Sequence, residues 1–314
     1  RDRSPSRGLG DVYKRQTQYT VGIDIGGSHI GSCVVDLSSG SILDNTIIKK
    51  EADNTAYPSV LLNVWTKCIQ ASISASGVNP QGLGFAFPGP FDYRNGICKI
   101  EGVDKFEHLF GLDVTHSLLS ALQSATGLEV RYINDAGAFA LGEAIGGCAR
   151  DANRIIALTL GTGIGSGFIA GKQLIETGPS VPANGWVYNL PFDGGIADNA
   201  FSTRWFCHRF FELSGKTVAG AKEIADQVPA NPVAGQIFKE YGQRLADFIL
   251  PLVRQFQADI VVLGGNISRA YSLFGPSLES RLSQQGENIA IRLSSLRDNA
   301  AMLGAASLFI HHKH

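Results

Sequence analysis

The stretch YTVGIDIGGSHIGSCVVD at residues 19–36 decides the fold, and IIALTLGTGIGSGFIAG at residues 155–171 repeats its design. Each is an apolar run, a turn of small residues and a second apolar run, which is typical of two strands joined by a tight turn. With an offset of 135 residues, Gly26 aligns with Gly161. The repeat predicts two lobes, each built around one β-hairpin.

Glycine in these turns lets the backbone adopt positive φ and lets its N–H groups approach a ligand closely, as in phosphate-binding loops. An ordinary hairpin is the alternative, because Gly-Gly and Gly-Thr-Gly are common turn sequences. Neither turn has the Rossmann fingerprint or the GxxxxGK[ST] pattern. The duplication therefore favours two hairpins that hold one nucleotide between them.

The composition is that of a globular protein with a sizeable core: 314 residues, 44% hydrophobic, with 37 glycines. The formal net charge is −1 and no basic tract occurs, so we expect no binding to nucleic acid. The longest apolar runs, such as DIVVLG at residues 259–264, have the length of strands and not of membrane spans. We expect a soluble protein without a transmembrane helix.

The five cysteines have no CxxC or CxC spacing, which argues against a zinc knuckle and against a disulfide framework. They are Cys33, Cys68, Cys98, Cys148 and Cys207. Reduced thiols indicate a cytoplasmic protein. Residues 1–16 are polar and Arg-rich and lack the apolar core of a signal peptide. We exclude them from the fold as a disordered or non-native tail.

Strand-like segments alternate with helical ones, which predicts an α/β protein. Strands are expected at residues 82–87, 129–133 and 259–263. Helices are expected at residues 58–77, 115–127, 136–145, 201–213, 218–226, 233–256 with an interruption at Pro251, and 299–310.

Two aspartates stand where strands end. Asp24 precedes the first glycine turn, where a carboxylate would hold Mg²⁺ through water, although capping of the turn is an equal alternative. Asp135 follows Asn134 between a strand and a helix, a place that helix N-caps commonly fill. Its position between the two hairpins favours a carboxylate base, which a hydroxyl needs when it attacks a γ-phosphate.

A third glycine pair, Gly264 and Gly265, follows the apolar run that begins at Asp259. A plain turn is one interpretation. A flat surface for an adenine or a ribose is the other.

Five motifs occur in order along the chain: GIDIGGSHIG at 22–31, FAFPGPFD at 85–92, INDAGAFALGEA at 133–144, LTLGTGIGSGFIAGK at 158–172 and IVVLGGNIS at 260–268. This set resembles the ROK family of sugar kinases, repressors and open reading frames, which lies within the actin-like ATPase superfamily. The resemblance extends from Tyr19 to Phe309. Five motifs in the right order are far more specific than any one of them.

The resemblance implies a two-lobed actin-like (ribonuclease H-like) ATPase fold with duplicated mixed-sheet domains and with ATP and Mg²⁺ between the lobes. The N-terminal lobe would comprise residues 17–120 and 297–314, and the C-terminal lobe residues 121–296. The final helix would pack back on the N-terminal lobe. A homodimer is expected, because members of the family commonly form one.

Carried over residue by residue, the resemblance makes Asp135 the catalytic base, Asn134 a sugar ligand and Asp24 the residue near Mg²⁺. The other positions are Pro88 and Gly89 for the sugar pocket, Gly26, Gly27, Ser28, Gly161, Thr162 and Gly163 for the phosphate turns, and Gly264 and Gly265 for the adenosine motif.

The departures from the family lie on the sugar side. The Glu-x-Gly-His segment that holds sugar hydroxyls corresponds to Asn184 through Val187, and the zinc-binding cysteines are missing, so no zinc is expected. A later sugar-contacting Glu corresponds to Asp198, and the Lys after Gly-Gly-Thr corresponds to His29. Val187 and Trp186 are expected to make the sugar pocket more apolar.

The leading hypothesis is an ATP-dependent kinase that phosphorylates the 6-hydroxyl of a hexose held by Asn134, Asp135 and Asp198, with glucose as the default substrate. An N-acetylhexosamine kinase is close behind, since an apolar pocket suits an N-acetyl methyl group. GTP or polyphosphate remains open as the phosphate donor.

Two other classes of protein remain as alternatives. A non-catalytic sugar-sensing regulator is disfavoured, because family repressors carry an N-terminal DNA-binding domain and the first strand here begins at residue 19. An ATP hydrolase or carboxylate kinase of the superfamily would turn over ATP without a sugar.

Overall fold

The computed structural model describes residues 19–102, 105–122 and 128–310. The first part of the chain forms, in order, β1 (Tyr19–Ile25), β2 (His29–Asp36), β3 (Ser41–Ile42), β4 (Ile48–Glu51), α1 (Pro58–Ser76), β5 (Gly82–Phe87), β6 (Phe91–Asp92), β7 (Ile97–Cys98), α2 (Val114–Leu122), β8 (Glu129–Asn134) and α3 (Asp135–Ile145).

The second part forms β9 (Arg154–Leu160), β10 (Ile164–Ala170), β11 (Gln173–Leu174), β12 (Pro191–Phe192), β13 (Gly195–Ile196), α4 (Ala197–Ala200), α5 (Thr203–Ser214), α6 (Ala221–Gln227), α7 (Pro232–Phe256), β14 (Ile260–Gly264), α8 (Tyr271–Gln284), β15 (Ala290–Leu293) and α9 (Ala300–Ala306). Short 3₁₀ helices include Ala183–Gly185, Ile267–Ala270 and Arg297–Asn299.

Two sheets of matching topology organise the chain. The first has the order β3-β2-β1-β5-β8, with β4 also paired to β2, and the second has the order β11-β10-β9-β14-β15. In each, an antiparallel hairpin is followed by parallel strands, β5 and β8 in the first sheet and β14 and β15 in the second. The predicted α/β fold with duplicated mixed sheets is confirmed.

Both predicted hairpins form. Their strands end at Ile25 and Leu160, which keeps the offset of 135 residues found in the sequence. The pairing differs, however, because Ile25 lies opposite Ile30 whereas Leu160 lies opposite Ile164. The first turn is therefore one residue longer than the second, a difference that the sequence alignment does not reveal.

Most predicted helices occur with small shifts at their ends. Residues 123–127 of the helix expected at 115–127 lie outside the described residues. The expected interruption at Pro251 is absent, and α7 continues through it. A proline inside a helix removes one hydrogen bond, but burial of both Leu250 and Leu252 in the surrounding core opposes a break.

The two sheets carry separate hydrophobic cores. The first contains Trp65 of α1 and Phe85 and Phe87 of β5. The second is built on Phe168 of β10 and on aromatic residues of α5 and α7, namely Phe206, Phe210, Phe238, Tyr241 and Phe256. Each core stabilises its own hairpin, and the turns of the two hairpins stay outside them.

Helices α3 and α9 pack together by close backbone contact. A Cβ atom on Gly142 of α3 would collide with the carbonyl of Ala300, and one on Gly304 of α9 would collide with the carbonyl of Ala138. Helix α9 also packs on the first sheet, where Gly22 of β1 and Gly84 of β5 meet its backbone, at Met302 and Ala305 respectively. Glycine is required at these positions because any side chain would separate the elements.

The strand β8 belongs to the first sheet, although the predicted boundary at residue 120 assigned it to the C-terminal lobe. β8 pairs with β5 in parallel. Two parallel neighbours need a crossover connection, here the segment that contains α2, and this connection returns the chain to the same sheet. The lobe boundaries themselves stay a prediction. Within the described ranges, no helix is long and apolar enough to cross a membrane.

Candidate active site

A cavity of about 670 Å³ lies at the C-terminal ends of β1 and β14 and at the N-terminal end of α3. Five of the predicted site residues line it: Asp24, Gly26, Asp135, Gly264 and Gly265. They come from distant parts of the sequence and from both sheets. The predicted metal, base and adenosine positions are thus brought together in one place.

Asp135 is the first residue of α3, and its side chain opens into this cavity. The preceding residue, Asn134, supplies the helix cap, since its Oδ1 accepts hydrogen bonds from the N–H groups of Ala136 at 3.1 Å and Gly137 at 3.4 Å. Asp135 Oδ1 accepts one bond from Ala136 N at 2.9 Å. Two of the N–H groups of the first turn are therefore capped by Asn134, and Asp135 lines the cavity.

The charge of Asp135 acts on the carboxyl group of Asp24. Burial, and next the charge of Asp135, raise the pKa of Asp24 to about 7, while Lys49 opposes the increase. Burial also raises the pKa of Asp135, and its bond from Ala136 N opposes this. Two partly desolvated carboxylates facing one cavity are an environment that a divalent cation would stabilise.

The donors at Asp24 fit Mg²⁺ with few protein ligands. In the described part of the chain, no three His, Cys, Asp or Glu side chains are grouped so as to hold a metal ion. Mg²⁺ at Asp24 would thus take its remaining ligands from water and from phosphate oxygens, which is its usual preference in nucleotide sites. The absence of zinc stays a prediction.

The glycines after β14 have a structural role as well. Gly265 has φ +81°, and a Cβ atom there would collide with the backbone of Leu160 at the end of β9. A Cβ atom on Gly264 would collide with the Phe139 ring of α3. These glycines let the end of β14 approach the second hairpin and α3, and the floor of the cavity is consequently bare backbone.

The turn of the second hairpin is held by Asp198 and the start of α5. Asp198 Oδ1 accepts a bond from Ile164 N at 2.9 Å, and its Oδ2 accepts one from Arg204 at 2.6 Å. Arg204 also donates to the Thr162 carbonyl at 3.1 Å. The residues Gly27, Ser28, Gly161, Thr162 and Gly163 do not line the 670 Å³ cavity. Asp198 thus supports the second turn.

A second cavity, of about 340 Å³, lies beside Asn134. Its polar lining includes Tyr93 and Glu176, which the sequence analysis did not single out. Tyr93 donates a bond to the Phe87 carbonyl at 3.1 Å and accepts one from Asn134 Nδ2 at 3.2 Å. Burial raises the pKa of Glu176. Tyr93 lies shortly after Pro88-Gly89 in the sequence, and this closeness to the predicted sugar loop is the feature of the sequence that points to Tyr93.

The predicted sugar-side segment from Asn184 to Val187 lines neither of these cavities. Asn184 is exposed in a 3₁₀ helix with φ +57°, and it lines neither cavity. Val187 is fully buried in the core of the second sheet, where its N–H donates to Ser166 Oγ at 3.1 Å. The prediction that Val187 makes an open sugar pocket more apolar is therefore wrong. Side-chain direction, which the motif does not encode, decides this.

Comparison with known proteins extends these observations. The sequence model of the ROK family matches residues 20–185 and 193–312. Glucokinase from Thermotoga maritima is 28% identical over 316 residues, covering 92% of this chain and 96% of the relative. N-acetyl-D-glucosamine kinase from Haemophilus influenzae is 24% identical, with 92% and 98% covered. Xylose repressor from Bacillus subtilis is 23% identical, with 96% and 79% covered.

Solved structures agree on the fold. ROK hexokinase from Thermus thermophilus superposes with a TM-score of 0.75 at 22% identity, over 92% of this chain and 97% of that one. A glucokinase from Streptomyces griseus, solved with glucose and AMPPNP, gives a TM-score of 0.69 at 21% identity, with 92% and 98% covered. The predicted actin-like ATPase fold is confirmed.

Proposed function

The chain belongs to the ROK family, and on this premise we propose that it is an ATP-dependent kinase that phosphorylates the 6-hydroxyl of a hexose. The observation that carries the proposal is the pairing of Asp135 with Asp24 in one cavity floored by Gly264 and Gly265. A base, a metal-binding carboxylate and a backbone surface for a nucleotide are the groups that phosphoryl transfer needs. The Thermotoga maritima and Streptomyces griseus glucokinases support the same activity.

In this proposal, Asp135 accepts the proton of the sugar hydroxyl as that oxygen attacks the γ-phosphate. Its position at the start of α3 fixes the carboxylate, and desolvation raises its pKa above that of a fully solvated aspartate, which makes it a stronger base. Asp24 orients Mg²⁺, which when bound neutralises part of the phosphate charge. The turns that contain Gly26 and Gly161 donate N–H groups to the phosphates when the two sheets approach.

The sugar would lie next to Asp135, where Asn134 and Tyr93 provide an amide and a hydroxyl within one hydrogen-bonded unit. Glu176 lines the 340 Å³ cavity together with Asn134 and Tyr93, and it would add a carboxylate acceptor there. Pro88 and Gly89 belong to the loop after β5. Asn184 and Asp198, which line neither cavity, stay proposed ligands. Groups of this kind discriminate sugars by leaving unmatched hydrogen bonds when a hydroxyl is missing.

An N-acetylhexosamine is the second candidate substrate, since the N-acetyl-D-glucosamine kinase of Haemophilus influenzae matches 92% of this chain. Within this proposal, the half-exposed Trp186 offers an apolar surface for an acetyl methyl group. The homodimer and the cytoplasmic location expected from the sequence also stay predictions.

An ADP-release assay with Mg-ATP tests the proposal against glucose, mannose, fructose, N-acetylglucosamine, N-acetylmannosamine and a blank without sugar. We expect turnover well above the blank with at least one sugar. Equal ADP release in the blank would indicate an ATP hydrolase. If the folded protein binds a sugar but does not phosphorylate it, a regulatory role is indicated. The xylose repressor of Bacillus subtilis has such a role by its name.

A further inference from the structure

The 670 Å³ cavity is lined by carboxylates, which would repel the phosphate groups of a nucleotide. Three carboxylates line it, those of Asp24, Asp135 and Asp298, and a triphosphate would add further negative charge. Of the described residues that line it, Arg269 and Arg297 are the cations. Both lie in the segments that follow β14 and β15. The hairpin of β1 and β2 contributes His29 beside Gly26 but no Lys or Arg.

Lys49 of β4 lies beside this cavity. The strand pairs with β2 so that Lys49 is opposite Gly31, and a Cβ atom on Gly31 would lie 3.9 Å from Lys49 Cγ and 3.0 Å from Met302 Sδ. Its Nζ is 3.1 Å from Asp298 Oδ2. Because Asp298 lines both the 670 Å³ cavity and a smaller one that contains His29 and Lys49, the ammonium group lies at the border between the two.

The pair that Lys49 makes with Asp298 is exposed. The side chains are 42% and 62% accessible to solvent. Pairs of this kind contribute on the order of 0–1 kcal/mol. Lys49 is thus free to exchange Asp298 for a stronger partner, and a phosphate group with more negative charge and more acceptor oxygens is one.

We propose that Lys49 binds the phosphate groups of the nucleotide, supplying from β4 the positive charge that the turn of the first hairpin lacks. The inference rests on the proposed function for the identity of the ligand, a nucleoside triphosphate. On binding, the ammonium group leaves Asp298 and donates hydrogen bonds to phosphate oxygens above Gly26. The ion pair with Asp298 holds the side chain in place until the nucleotide arrives.

The positive charge of Lys49 also lowers the pKa of the carboxyl groups near it. Its ammonium lowers the pKa of Asp24 against the effect of burial, and it lowers the pKa of Asp298. The ammonium group therefore acts electrostatically on two carboxylates that line the 670 Å³ cavity. This agrees with the geometry on which the proposal stands.

The test compares Lys49→Met with Lys50→Met, the next residue on the same strand. Side chains alternate between the faces of a strand, so Lys50, which is opposite Ile30 and also borders the smaller cavity, carries the same charge on the other face. Binding of Mg-AMPPNP and of adenosine is measured by calorimetry without sugar. We expect Lys49→Met to weaken Mg-AMPPNP binding about tenfold or more, with adenosine binding unchanged, and Lys49→Arg to recover part of the affinity.

Lys50→Met should bind Mg-AMPPNP as the wild type does. Asp298→Asn should bind it as well or more tightly, because this change frees Lys49 and removes a negative charge. Lys49→Met binding within twofold of the wild type would overturn the inference, as would an equal loss in Lys50→Met.

These measurements separate the inference from the proposed function. If no sugar is phosphorylated but Lys49→Met still loses nucleotide binding, the inference stands and the kinase proposal fails. If the wild-type protein does not bind Mg-AMPPNP, both fail. Circular dichroism and thermal unfolding of each variant show whether a loss of binding comes from a loss of fold.

Discussion

At the residue scale, the start of α3 combines two roles that a sequence motif leaves undecided. Asn134 caps the helix with its side-chain oxygen, and Asp135 lines the cavity. An N-cap and a base were alternative interpretations of the Asn-Asp pair. The structure gives the cap to Asn134, and the role of Asp135 as the base is a prediction that activity must test.

Replacing Asp135 with Asn should reduce kcat by about 10²- to 10⁴-fold, because the amide cannot accept the hydroxyl proton. Binding of nucleotide should change little. Steady-state kinetics with the best sugar of the panel measures the effect, and Asp226→Asn, on the exposed face of α6, is the matched control. A variant that keeps near wild-type turnover would refute a base at this position.

Asp24 gives the protein a pH dependence whose sign follows from its pKa of about 7. Between about pH 4 and pH 7, the folded protein keeps this carboxyl protonated while the unfolded chain ionises it, so the free energy of unfolding falls as pH rises. The free energy of unfolding of Asp24→Asn should therefore exceed that of the wild type by about 1 kcal/mol or more at pH 8 and by little at pH 4. Denaturant unfolding at both pH values checks this, and an equal gain at both would contradict it.

How far the sequence predicts the site depends on the kind of residue. The sequence indicates Asp24, Asp135 and the pair Gly264-Gly265 because they stand at or directly after the ends of strands. Strand ends of both sheets meet at the cavity. Glu176 could not be assigned, since its approach to Asn134 depends on the packing of β11 against α3. The motif places Val187 in the sugar pocket, whereas its side chain lies in the core of the second sheet. A position in a motif does not determine whether a side chain points into a core or into a pocket.

At the scale of elements, the segment after β15 is held in place by a buried carboxylate. Glu143 of α3 is fully buried and accepts hydrogen bonds from Ser294 Oγ, from Leu296 N at 3.0 Å and from Cys148 N at 2.9 Å. Ser294 also lines the 670 Å³ cavity. One side chain thus fixes a wall of the cavity to the helix that carries Asp135.

Glu143→Ala should destabilise the protein by about 3 kcal/mol, because several buried donors lose their acceptor at once. Glu212→Ala, which removes an exposed carboxylate from α5, should cost less than about 1 kcal/mol. Urea unfolding of both variants gives the comparison. Similar losses in the two would show that the buried bonds contribute little.

Element prediction succeeded where periodicity and turn residues agree and failed where tertiary contacts decide. Helix α1 starts with Pro58 and ends before Gly77, which has φ +65°, as its sequence indicates. The helix α8 and the strand β15 were not predicted. Pro251 was read as an interruption, but contacts along the whole of α7 keep the helix continuous.

At the scale of the whole molecule, two copies of one sheet topology are joined through α3 and α9. The repeat was visible in the sequence because both hairpins keep the same pattern of glycine and apolar residues. The joint between them was not visible. It depends on glycines that meet another backbone, and nothing in a helix of small residues shows which backbone that is.

Gly304→Ala tests this joint. The added Cβ atom would collide with the carbonyl of Ala138, so we expect a loss of about 2 kcal/mol or more and a lower Tm. In Gly235→Ala, within α7, the nearest atom is 3.9 Å from the new Cβ, and the change should raise stability by about 0.5–1 kcal/mol. Thermal unfolding distinguishes the two, and a Gly304→Ala variant as stable as the wild type would contradict the close contact.

The position of α9 in the chain has a consequence for synthesis. The glycine faces of β1 and β5 are among the first parts of the fold to leave the ribosome, yet the helix that covers them comes after β15. The second sheet can form around its own aromatic core before that helix is made. Until α9 has been synthesised, the nascent protein therefore carries a first sheet with one face uncovered, and this interval is when a chaperone would be needed most.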